Sequence, residues 1–129
     1  MIIGIDIGTS YSSACIIDKT GKAVPVDIAT GLGYGDKYSL PSAVFLQENQ
    51  EGEDVLLIGQ MAMLHRRRNP SHFKMEFKRL LGEKVPIMLG RRQYRPEEFY
   101  VEFFRHIKKC VQKIILGDVI EKVYITYPA

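Results

Sequence analysis

The residues best suited to chemistry stand at the start of the chain, Met-Ile-Ile-Gly-Ile-Asp-Ile-Gly-Thr-Ser-Tyr. Ile2, Ile3, Ile5 and Ile7 are β-branched and predict a strand buried on both faces, which makes Asp6 a carboxylate within an apolar run. A buried charge needs a partner, and the usual one is a cation. Gly8 permits a tight turn, and the amides of Thr9, Ser10 and Tyr11, with two hydroxyls, form a small nest of donors suited to phosphate oxygens. Asp6 then faces the divalent metal that travels with a nucleoside triphosphate. An ordinary hairpin with Asp6 near an edge fits the same residues. A P-loop does not, because no Gly-Lys-Thr or Gly-Lys-Ser follows, and neither does a dinucleotide fingerprint, because no G-x-G-x-x-G opens a helix.

Other reactive side chains carry less. In Phe77-Lys-Arg-Leu-Leu-Gly82 the apolar residues point inward, so Lys78 by residue type alone is a solvated helix lysine. His65-Arg66-Arg67-Arg68, with Lys74, Lys78 and Arg79 following, forms a local basic cluster. No aromatic platform is interleaved in the helix itself, and 18 basic against 15 acidic residues leave a net charge of only +3, which favours a solvated face over a nucleic-acid surface. His65, His72 and His106 have no H-E-x-x-H spacing, so no structural zinc is expected. Cys15 and Cys110 form no C-x-x-C pair and read as buried thiols in a reducing compartment. No G-x-S-x-G or Cys/His nucleophile signature is present.

The elements that must position these residues follow from pattern. Strands are predicted over residues 2–7, 11–18 and 23–28 as an antiparallel meander, with Lys19-Thr-Gly21 as a turn. Residues 30–37 hold three glycines and predict a loop, and 42–46 and 55–58 predict two further strands around an acidic turn. A short helix is predicted from Gly59 to Arg68 with Met61, Leu64 and optionally Met63 inward, and a second over 73–81, capped by Ser71 and stopped by Gly82. The longest helix is predicted from Pro96 to Leu116, with Phe99, Phe103, Ile107, Val111 and Ile114 or Ile115 on one face and Glu97 and Glu98 in its first turn. Lys122 to Tyr127 predicts a closing strand.

At 129 residues and 46% hydrophobic content, the chain has one domain's worth of globular sequence. No basic region precedes the apolar start, as a signal peptide would require, and no apolar run approaches the ~20 residues of a membrane span. A soluble, cytoplasmic protein with no membrane partner is expected. The chain stops at Ala129 directly after a strand, and a piece of a longer protein is the expectation.

Gly4-Ile-Asp-Ile-Gly-Thr-Ser-Tyr-Ser12 resembles the first phosphate motif of the DnaK-type (seventy-kilodalton heat-shock) chaperones, within the actin, hexokinase and sugar-kinase ATPase superfamily. Leu40-Pro-Ser-Ala-Val44, Ile58-Gly-Gln-Met-Ala62, Phe77-Lys-Arg-Leu-Leu-Gly-Glu83, Tyr94-Arg-Pro-Glu-Glu98 and Val123-Tyr-Ile-Thr-Tyr-Pro-Ala129 resemble, in order, segments of the same nucleotide-binding domain. The resemblance implies an α/β, ribonuclease-H-like lobe of an actin-like ATPase, with residues 1–46 and 94–129 as its core and 47–93 as an inserted subdomain. It implies ATP or ADP with Mg2+, and Asp6 on the metal side, acting through water. Gly8, Thr9, Ser10 and Tyr11 become the phosphate turn, with Thr9 nearest the γ-phosphate. Lys78 becomes the water-orienting base or an electrostatic group, and Pro128 a relay between domains.

In the family, unfolded polypeptide clients, a J-domain co-chaperone and a nucleotide-exchange factor are the partners, and nucleic acid is not one. Residues 1–129 alone are expected to bind nucleotide at millimolar or weaker affinity without turnover. Ser10 and Tyr127 stand where related sequences often have Thr and Val, and the Gly-rich loop is unusual, so a divergent member is expected. An actin-like filament protein and a sugar kinase share the phosphate turn and are the alternatives. A ribonuclease-H-type nuclease ranks last, because the closing strand Lys122 to Tyr127 offers no acidic residue for a metal pair.

Overall fold

The computed structural model describes residues 1–31, 35–49, 52–115 and 117–126. Its first sheet is built on β1 (Ile2–Ile7), which pairs antiparallel with β2 (Tyr11–Ile17), Ile2 facing Ile17 and Ile7 facing Ser12. β3 (Ala23–Pro25) continues the meander on β2, and Val26 and Ile28 beyond it are fully buried. The turn between β2 and β3 is held by the Asp18 carboxylate, which accepts hydrogen bonds from the Thr20 hydroxyl at 2.6 Å and from the Thr20 and Lys22 amides at 2.9 Å. β4 (Leu40–Pro41) pairs with the start of β2.

A second sheet follows directly. β5 (Ala43–Gln47) lies between β6 (Val55–Ile58) and β7 (Phe73–Met75), both antiparallel to it. The predicted strand over 42–46 forms as β5, one residue further along, and at Ser42 the chain leaves one sheet for the other. α1 (Gln60–His65) is shorter than predicted and buries Ala62 instead of Leu64, which is 73% exposed. Gln60 fastens both ends of the Gly-rich loop: its Oε1 accepts the Thr30 amide at 2.8 Å and its Nε2 donates to the Ser39 carbonyl at 2.7 Å. Residues 32–34 of that loop lie outside the described residues.

The predicted helix over 73–81 does not form. Phe73, Met75 and Phe77 alternate with Lys74, Glu76 and Lys78, a period of two, and the segment enters the second sheet as β7 before a short 3-10 turn at Phe77–Leu80. Ser71 accordingly caps no helix; its hydroxyl donates to Asn69 Oδ1 at 2.8 Å. A hairpin of β8 (Ile87–Leu89) and β9 (Arg92–Tyr94) follows, closed by Gly90 and Arg91, with Gly90 at φ 59°.

α2 (Pro96–Ile115) starts as its sequence requires. Pro96 fills the first turn, and the Glu98 carboxylate accepts the Arg95 amide at 2.7 Å. Phe99, Phe103, Ile107 and Val111 are buried along one face, Ile115 packs beside them and Ile114 is exposed. They pack with Ile3, Ile5 and Ile7 of β1 and with Phe77, whose ring meets Phe99 edge-on at 5.2 Å. Each such buried side chain contributes about 1.5–3 kcal/mol. β10 (Lys122–Ile125) then returns parallel to β1, placing Ile125 opposite Ile5. The result is a mixed α/β fold of several sheets with flanking helices.

One expectation about β1 is corrected here. Only its Ile3, Ile5, Ile7 face is buried; Ile2 and Gly4 are half-buried on the other face, and Asp6 is exposed. α2 covers one side of the sheet, and no second layer covers Asp6 among the described residues. Its charge is therefore hydrated and needs no buried cation.

Candidate functional site

The turn after β1 closes through the Gly8 amide, which donates to the Tyr11 carbonyl at 3.0 Å. A Cβ on Gly8 would lie 2.4 Å from that same oxygen, so only glycine fits the close approach. Thr9 and Ser10 form the tip, and among the described residues neither of their amides has a hydrogen-bond acceptor. Two backbone donors at a glycine turn, flanked by the Thr9 and Ser10 hydroxyls, can receive phosphate oxygens. The turn is nonetheless an antiparallel hairpin of the plain kind that the residues also allowed.

What distinguishes it is its support. Ser42, 1% exposed, donates its hydroxyl to the Gly8 carbonyl at 2.7 Å, and its amide donates to the Ser10 carbonyl at 2.9 Å. The Ser12 hydroxyl, equally buried, lies 2.9 Å from Ser42 Oγ. Since the single Ser42 hydroxyl hydrogen is committed to Gly8, Ser12 is the donor in that pair. Both turn carbonyls are thus held from behind. Ser42 was missed among the candidate site residues, although its Leu-Pro-Ser-Ala context marked the segment.

Asp6 lies at the C-terminal end of β1 and accepts a hydrogen bond from Thr126 Oγ1 at 2.5 Å. The Thr126 amide donates to the Ile5 carbonyl at 3.0 Å, extending the parallel pairing of β10 one residue further. Thr126 was not foreseen either, because a contact 120 positions away has no local signal. Beside this pair the open face of the sheet forms a cleft of about 470 Å³, bounded by Asp6, Cys15, Tyr38, Tyr124 and Thr126.

Lys78 stands in the 3-10 turn after β7, anchored by buried Phe77. It is half-buried, and among the described residues its ammonium has no ion pair or hydrogen bond. The chain reaches it through Glu76, whose amide donates to the Ser42 carbonyl at 3.3 Å. Ser42 therefore touches both the Gly8 turn and the segment that carries Lys78.

No family model matches the chain. Curated relatives do, over essentially all of it. It is 32% identical over 128 residues to the chaperone protein DnaK of Nitrosopumilus maritimus, 33% over 129 residues to that of Elusimicrobium minutum, and 32% over 128 residues to that of Methanothermobacter thermautotrophicus. In each case 99% of this chain is covered. The chain is homologous to the N-terminal part of DnaK. It spans only 19–20% of the length of these relatives. The DnaK match takes in the Gly8 turn, Ser42, Lys78 and Thr126 together, since it runs the length of the chain.

Pro128 is outside the described residues. Arg66, Arg67 and Arg68 are exposed beyond the end of α1, as a solvated face requires. His72 lies 3.6 Å from Glu48, and the His106 ring nitrogen donates to the Ile28 carbonyl at 2.6 Å. That bond leaves His106 no lone pair on Nε2 for Cys110, whose sulfur is 3.6 Å away and whose pKa burial raises, so the pair is not a nucleophile. Both cysteines are free and half-buried. Among the described residues no three His, Cys, Asp or Glu side chains converge as a metal site, and no helix is long and apolar enough to cross a membrane.

Proposed function

We propose that the chain forms the first part of the nucleotide-binding domain of a DnaK-type chaperone, a ribonuclease-H-like lobe in which residues 47–93 are inserted into a core of 1–46 and 94–129. The observation that carries this reading is the match to DnaK over 99–100% of the chain, which also favours it over a filament protein or a sugar kinase. The parent protein hydrolyses ATP and uses the nucleotide state to switch its grip on unfolded polypeptide, working in the cytoplasm with a J-domain co-chaperone and a nucleotide-exchange factor.

The residues present suit that chemistry. The free Thr9 and Ser10 amides and the Thr9 hydroxyl receive β- and γ-phosphate oxygens, and Gly8 lets them approach the backbone. Exposed Asp6, oriented by Thr126, accepts hydrogen bonds from the water shell of a magnesium ion, a mode that needs only one carboxylate. Bound magnesium supplies charge neutralisation on the phosphates. Lys78 orients the attacking water and offsets charge developing in the transition state. Pro128 is proposed as the relay toward the domain that grips polypeptide.

The test is carried out on the full-length gene product with an unfolded, fluorescently labelled polypeptide. Addition of ATP and magnesium is expected to speed polypeptide release at least tenfold over ADP. Equal release rates with the two nucleotides would overturn the proposal.

A further inference from the structure

We propose that Ser42 is a positioning residue that couples occupancy of the Gly8 turn to the placement of Lys78. The inference rests on the nucleotide-binding reading above and concerns residues on either side of that site. Ser42 sits where the chain passes from the first sheet, through Pro41, to the second, through Ala43. Its side chain and amide hold the Gly8 and Ser10 carbonyls, at 2.7 and 2.9 Å, and its own carbonyl accepts the Glu76 amide at 3.3 Å. One buried residue thus has its hydroxyl and amide on the phosphate turn and its carbonyl on the segment that leads to Lys78.

That segment is conformationally tense. Glu76, at φ 57° and ψ 30°, is the one non-glycine residue with positive φ among those described. It occupies the left-handed region between β7 and the 3-10 turn of Lys78, and such joints persist only where their surroundings over-determine them. On one side Met75 is paired to Ala43; on the other Phe77 is locked against Phe99, Tyr100 and Phe103, with ring centroids 5.2, 5.6 and 5.6 Å away. A shift of the Gly8 and Ser10 carbonyls on phosphate binding pulls on Ser42 and is felt at Glu76, because a backbone bound at three points cannot yield at one alone. A hydroxyl is required: Ser12 donates to the Ser42 oxygen while Ser42 donates to Gly8, so the group at this position must both accept and donate.

The experiment is amide hydrogen exchange on the full-length gene product, with and without magnesium ADP, read separately in residues 8–12 and 75–81. In the unmodified protein ADP is expected to slow exchange at least fivefold in both segments. Ser42→Ala is expected to keep protection at 8–12 and lose it at 75–81, and Ser42→Thr, which restores the hydroxyl, to recover it. If Ser42→Ala does not fold, Ser42→Cys, nearly the same size but a weak donor, serves in its place. Protection at 75–81 that survives loss of the hydroxyl overturns the coupling while leaving the nucleotide reading intact. Absence of protection at 8–12 in the unmodified protein overturns the nucleotide reading, and the coupling with it.

Discussion

A methyl group on Gly8 would meet the Tyr11 carbonyl oxygen at 2.4 Å, far inside contact distance. Gly8→Ala must therefore open the end of the hairpin, and we expect it to cost about 1–3 kcal/mol in urea unfolding, as overpacking does, and to abolish nucleotide binding. Glu76 gives the opposite expectation. A left-handed non-glycine residue costs about 1–2 kcal/mol, and its 3.8 Å pairing with Arg79 is exposed and contributes little. Glu76→Gly should stabilise the fold by about 0.5–1 kcal/mol after the added chain entropy of glycine, measured in the same urea titration. Burial raises the Cys110 pKa, so its thiol keeps its proton longer in the folded state than in the unfolded one. The stability this lends is fully present below the ordinary thiol range and is lost as pH rises from that range through the raised folded-state value; correspondingly, iodoacetamide at pH 8 should label Cys110 more slowly than glutathione. At this scale the glycine turn was legible, because Gly-Thr-Ser after a β-branched run has a physical meaning by itself. The burial of Asp6 was misjudged, because an apolar run does not say which of its faces another layer covers.

Among the elements, α2 was the most legible. Its apolar residues recur at helical spacing for five turns, and Pro96 with Glu98 marks its start. Phe103, fully buried beneath β1 and Phe77, should cost about 3–5 kcal/mol when cut to alanine, read as a fall in melting temperature. The stretch 73–81 was misread because Phe73, Phe77, Leu80 and Leu81 satisfy a helical period, while Phe73, Met75 and Phe77 satisfy a strand period equally well. Pairing with β5 decides between them, and that pairing is not local. The β8–β9 hairpin had a readable signal, a Gly-Arg turn between Leu89 and Arg92, but its strands are only three residues each.

For the molecule as a whole, the contacts that assemble the site are long-range: Asp6 with Thr126, Gly8 with Ser42, Ser42 with Glu76. None has a spacing that a pattern along the chain reveals, which is why Ser42 and Thr126 emerged only from the fold. The ordered resemblance of six segments had put their neighbourhoods together before any distance was known, and the DnaK match over the whole chain agrees with it. On the proposed reading, the Gly8 turn receives the phosphates of ATP and Lys78 orients the water that attacks the γ-phosphate. Single-turnover ATP hydrolysis by the full-length gene product, with Lys78→Ala beside the unmodified protein, tests it most directly. A fall of at least ~100-fold in the hydrolysis rate, about 3 kcal/mol of transition-state stabilisation, with nucleotide affinity changed less than about threefold, is predicted. Hydrolysis by Lys78→Ala at the unmodified rate would contradict the account.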